Sequence, residues 1–95
     1  MNKSIAINIA EKELNSYMEK EWSELKDMIG SEPLTYEITG EDSKEYNIEV
    51  LCFWDDKKNE DIRVIVSVDD GGWRVHFPIS TDDIKKKSEP VGRGN

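Results

Sequence analysis

The residues best equipped for chemistry are few and scattered. His76 is the only histidine in the chain, and it falls in the stretch VSVDDGGWRVHFP, two residues after Arg74. A general base needs a nucleophile or an orienting carboxylate within hydrogen-bond reach. The sequence specifies neither beside His76, so the histidine reads as a partly buried strand residue and the chain as no enzyme. Cys52 is the sole cysteine. It has no internal disulfide partner and no CxxC neighbour, and its place in an apolar alternation makes it a small buried hydrophobe rather than a nucleophile. The DDGG run lacks both the GxxxxGK[ST] phosphate cradle and the spaced ligands of a calcium loop. No cofactor is therefore expected.

Three acidic pairs, Asp55-Asp56, Glu60-Asp61 and Asp82-Asp83, bracket the apolar runs of the second half. Carboxylates gathered at one end of a sheet could hold Ca²⁺ or Mg²⁺ or meet a basic partner. The favoured reading is turn chemistry and solubility, with Asp82 or Asp83 capping a short final helical turn.

The elements that must position these residues show in the hydrophobic period. Over residues 10–29, Ala10, Leu14, Tyr17, Met18, Trp22, Leu25, Met28 and Ile29 recur at spacings of three and four, which places them on one helical stripe. Gly30 suits the left-handed residue that ends such a helix, Pro33 blocks a restart, and Asn8 with Glu11 forms a possible capping pair. Ile5, Ile7 and Ile9 alternate like a strand but are read as a backward extension of the helix.

After Pro33 the period becomes two. LTYEIT (34–39), YNIEVLCFW (46–54), IRVIVSV (62–68) and WRVHFP (73–78) read as four strands separated by turn-rich segments. Connections this short imply an antiparallel meander. Asp70-Gly71 as a type I′ loop would pair Val68 with Trp73, Val66 with Val75 and Val64 with Phe77, all on one face. The expected fold is α+β: one N-terminal helix packed on a four-stranded antiparallel meander in the order α-β-β-β-β. This layout resembles that of cystatin-like folds, a resemblance of topology, which does not carry function with it. Residues 1–84 form the expected single domain and 85–95 a flexible C-terminal tail.

The second strand is apolar on both sides, so Leu51 and Phe53 point away from the helix. A register pairing Trp54 with Ile62 brings Ile65 and Arg63 beside them. The expected outer face is an apolar patch of Leu51, Phe53 and Ile65 rimmed by Glu37, Glu49, Arg63, Arg74 and His76. An antiparallel sheet normally shows water a polar face, and an apolar patch with a charged rim marks a binding or dimer surface. The competing reading has Ile5, Ile7 and Ile9, or the tail, folded over the patch.

With 95 residues, 36% of them charged and a net charge of −8, the chain is ill suited to phosphate backbones, whose binding depends on Lys and Arg. No stretch approaches the length of a membrane span, the opening residues do not read as a signal peptide, and one thiol suits a reducing cytoplasm. The expected function is a small acidic cytoplasmic protein-interaction module (inhibitor, immunity or accessory protein) that binds a protein partner, a basic one included, through the outer sheet face. Two alternatives stand beside it. One is a small ligand-binding domain or enzyme with a shallow site of His76, Arg63, Arg74 and Glu49; the other is a homodimer whose sheet pairing is purely structural.

Overall fold

The computed structural model describes residues 2–71 and 78–87. Two helices, α1 (Lys3–Met18) and α2 (Trp22–Met28), precede four strands: β1 (Leu34–Thr39), β2 (Glu45–Trp54), β3 (Ile62–Asp69) and β4 (Ile79–Lys85). The strands form one antiparallel sheet in the order β1-β2-β3-β4. The architecture is therefore α+β, a helical layer on an antiparallel meander.

The long helix expected over residues 10–29 is two helices. Glu21 is extended at φ −65, ψ 148, and its backbone N–H is taken by the Glu24 carboxylate at 3.1 Å, so a new helix starts there. Periodicity hides this break, because Tyr17, Met18, Trp22 and Leu25 keep their spacing across it. The start also lies further back than Asn8-Glu11: Asn2 is the N-cap, its Oδ1 accepting from the Ile5 N–H at 3.1 Å. Ile5, Ile7 and Ile9 thus belong to α1. At the far end Gly30 takes φ +85, a conformation glycine adopts without steric cost.

Packing follows the apolar stripes. α1 lies over β3 and β4 and α2 over β2 and β3. Ala6, Ala10, Leu14 and Tyr17 are the buried residues of α1, and two alanines in that row let the helix axis approach the sheet closely. They belong to one core cluster with Leu25 of α2, Ile48, Val50 and Cys52 of β2 and Ile62, Val64, Val66 and Val68 of β3, the strand residues sharing one face by the two-residue period. Tyr46 is buried in the same cluster, with its hydroxyl donating to Asp42 at 2.8 Å.

The fourth strand departs from expectation. β3 pairs with 79–85, setting Val68 opposite Ile79, Ser67 opposite Ser80 and Ile62 opposite Lys85, rather than with WRVHFP. Residues 72–77, and with them Trp73, Arg74, Val75, His76 and Phe77, lie outside the described residues. A type I′ loop needs φ > 0 at both central residues. Gly71 has it at φ +77 and Asp70 does not; instead the Gly71 N–H donates to Asp69 Oδ1 at 2.7 Å. The observed pairing also satisfies polar groups that a count of apolar alternation ignores. It brings Asp82 to Arg63 and places the Lys85 ammonium 2.9 Å from the Met18 carbonyl at the end of α1. Asp82 and Asp83 consequently sit within β4 and cap no helix. Lys85, the first residue assigned to the tail, is instead the buried last residue of β4.

Candidate functional site

The face of the sheet away from the helices is set by register. Four rows cross it. Glu37, Asn47 and Asp69 form the first, and Thr35, Glu49, Ser67 and Ser80 the second. Leu51, Ile65 and Asp82 form the third, and Phe53, Arg63 and Ile84 the fourth. The expected pairs Leu51–Ile65, Phe53–Arg63 and Trp54–Ile62 are all present. Polar residues thus fill two adjacent rows and most of the large apolar ones the other two.

In the apolar half, Phe53 keeps 40% of its surface exposed, while Leu51, Ile65 and Ile84 are half-buried. Arg63 lies among them without being a loose charge. Its Nε and Nη2 donate to Asp55 Oδ1, both at 2.9 Å, and its Nη1 pairs with Asp82. These carboxylates, Asp55 foremost, raise the guanidinium pKa further above its ordinary range. The clip ties the end of β2 to β4 through β3 and sets the shape of this half of the face. Ile84 was not among the expected site residues, because the broken alternation of ISTDDIK gives no strand signal until its partner strand is known.

The polar half forms a shallow groove of about 480 Å³ lined by Thr35, Glu37, Asn47, Glu49, Ser67 and Asp69 among others. Ser67 and Ser80 share a hydroxyl hydrogen bond of 2.9 Å, and Asn47 donates to Asp69 at 3.3 Å. No described side chain pairs with Glu37 or Glu49. Glu49 is also four residues along β2 from Phe53, the partner of Arg63, a separation of roughly 13 Å along a strand. The shallow site that would unite Glu49 with Arg63 is therefore divided by Leu51 and Ile65, and its other members, Arg74 and His76, lie outside the described residues.

The isoleucines expected as a possible cover lie on the opposite side. Ile5 and Ile9 pack against the core and Ile7 faces outwards from α1 at 41% exposure. Residues 88–95 of the expected tail are outside the described set.

A second concavity, unforeseen in the sequence, opens on the helix side where the helices stop short of β1. It measures about 600 Å³ and is lined by Tyr17, Met28, Leu34, Val50 and Cys52, with Lys20, Asp27 and Glu32 at its rim. Its cause is the break at Glu21, which directs α2 over β2 and β3 and leaves Leu34 44% exposed. Beside it the Tyr17 hydroxyl donates to Tyr36 (3.1 Å), which in turn donates to Glu13 (2.6 Å). Burial and the Glu13 carboxylate push the Tyr36 hydroxyl pKa far up, fixing it as a proton holder. Burial likewise pushes the Cys52 thiol to about 11, which keeps it protonated and poorly nucleophilic.

The acidic pairs come together in part, the Asp55 N–H donating to the Asp61 carbonyl at 2.9 Å. Asp55 and Asp82 are held by Arg63, and Asp61 accepts from the Lys87 backbone N–H at 3.1 Å. Among the described residues no three His, Cys, Asp or Glu side chains converge as a metal site, and no helix is long and apolar enough to cross a membrane. The chain matches no protein-family model, no curated protein and no solved structure.

Proposed function

We propose that this chain is a small protein-interaction module, of the inhibitor, immunity or accessory kind, which docks another polypeptide on the outer face of its sheet. The carrying observation is the half-exposed Phe53 set beside Leu51, Ile65 and Ile84 around a guanidinium already engaged by two carboxylates. Large apolar side chains grouped on a face that an antiparallel sheet normally gives to water are the mark of a contact surface. Engaging Arg63 within the chain also supports the reading, since a partner docking there would not leave that charge buried and unpaired.

In-cell photo-crosslinking tests this. A benzophenone amino acid in place of Phe53 is expected to give a defined adduct with another polypeptide. The same probe at the exposed turn residue Glu41 is expected to give none, and Ile65→Glu to abolish the adduct at position 53. An adduct only of twice the chain's own mass, with a dimer seen by light scattering across a dilution series, would make the face a self-association surface. Loss of fold in Phe53→Glu by circular dichroism would make Phe53 a core residue and end the proposal.

A further inference from the structure

The geometry points to a basic, apolar polypeptide segment as the occupant of this face, an inference that rests on the interaction reading above. The face is divided along the strand direction, and its two halves differ in charge. Around Phe53 the only described cation, Arg63, is matched by Asp55 and Asp82. Two rows away stands Glu49 and three rows away Glu37, diagonal neighbours on β2 and β1 roughly 7–8 Å apart, and Asp69 stands in the same row as Glu37. No described side chain pairs with either glutamate. Among the described residues that line the groove between them, hydroxyl, amide and carboxylate side chains predominate and there is no Lys, Arg or His.

Two like charges on neighbouring strands of one face repel each other, and a cation placed between them relieves both. A complementary segment therefore needs a large apolar side chain over Phe53 and Ile65 and a Lys or Arg roughly 13 Å away over Glu49. An extended peptide meets that spacing in four residues and a helix in about nine. The net charge of −8 acts in the same direction. It draws a basic segment in and opposes a second copy of the chain.

The test uses two synthetic peptides with the same Phe and Leu positions, one carrying four Arg and the other four Glu in the remaining variable positions. Each is titrated into the ¹⁵N-labelled full chain while amide shifts are followed. The Arg peptide is expected to shift Leu51, Ile65, Glu49 and Ser67 saturably, and the Glu peptide to bind at least tenfold more weakly. Each exposed ion pair contributes a factor of about 1.5 to 5, so Glu37→Gln/Glu49→Gln should weaken the Arg peptide about fivefold and flatten its salt dependence. Phe53→Ala should weaken both peptides. Equal binding of the two peptides at this face would overturn the basic partner and leave the interaction surface standing. If neither peptide perturbs the face at millimolar concentration, or the Arg peptide perturbs only the groove at Tyr17, Met28 and Leu34, both readings fall.

Discussion

The Lys85 ammonium donates to the backbone carbonyl of Met18 at 2.9 Å, joining the last residue of β4 to the last of α1. The side chain is almost fully buried, at 1% exposure. A cation at a helix C-terminus is favoured by the peptide dipoles and by carbonyls that lack intrahelical partners. Lys85→Met retains most of the stem and removes the charge and donor, so it should cost about 1–2 kcal/mol. Lys85→Ala also empties the stem's place and should cost about 2–4 kcal/mol. Urea unfolding of both variants measures this; a neutral Lys85→Met would show that the ammonium does not act as the cap.

Two glycines are constrained for different reasons. A Cβ at Gly40 would stand 2.6 Å from Tyr46 Cε1 and 2.7 Å from Asp42 Oδ1, so Gly40→Ala must displace a fully buried ring at a cost of roughly 1–3 kcal/mol. Gly30 has open space around it and φ +85, so Gly30→Ala should cost about 1–2 kcal/mol from backbone strain alone. The discriminating readout is Tyr46 ring NMR shifts, which should move in Gly40→Ala and stay put in Gly30→Ala.

Alkaline pH should weaken the fold through Cys52. Burial raises its thiol from 9.0 to about 11, so the folded chain keeps a proton that the unfolded chain releases. The stabilisation is whole below pH 9, declines between 9 and 11, and amounts to at most about 2–3 kcal/mol. Cys52→Ala should remove this component from urea midpoints measured at pH 8 and pH 10.5. Unmodified native protein should also resist thiol reagents at pH 8 until denaturant is added.

Acid acts through Asp42. Burial opposes its charge, but the Tyr46 hydroxyl and backbone N–H groups donate to the carboxylate and hold its pKa below the usual value. The stability it lends is present above pH 3.8 and lost as pH falls through the lowered folded value. Tyr46→Phe removes one donor, so a ¹³C-carboxylate NMR titration should show Asp42 moving upwards. An unchanged titration would assign the shift to the backbone donors alone.

The sequence carries the sheet better than the helices or the last strand. Alternation placed β1 to β3 and the register of β2 on β3, because a slip of one residue would turn Val64, Val66 and Val68 outwards. That same logic put Leu51, Phe53, Ile65, Arg63 and Glu49 on one face. It failed at Glu21, where a helix restarts without disturbing the three-and-four spacing. It also failed at β4, where WRVHFP alternates more cleanly than ISTDDIK. What favours ISTDDIK is polar and non-local: Asp82 on Arg63, Ser80 on Ser67 and Lys85 on Met18. No local pattern records those pairings, nor the gap beside β1 that exposes Leu34.

Placing α1 over β3 and β4 also has a consequence for biosynthesis. The helix ends at Met18 and its farther partner strand begins only at Ile79. At about 5–20 residues per second, several seconds pass between the appearance of Ala6, Ala10, Leu14 and Tyr17 and that of the strand that helps to cover them. A lone helix of this length is marginal in water. The nascent chain must therefore wait, with its first apolar stripe uncovered, until almost the whole meander has emerged. Truncation before β4 should leave a chain dependent on chaperones rather than a smaller folded domain.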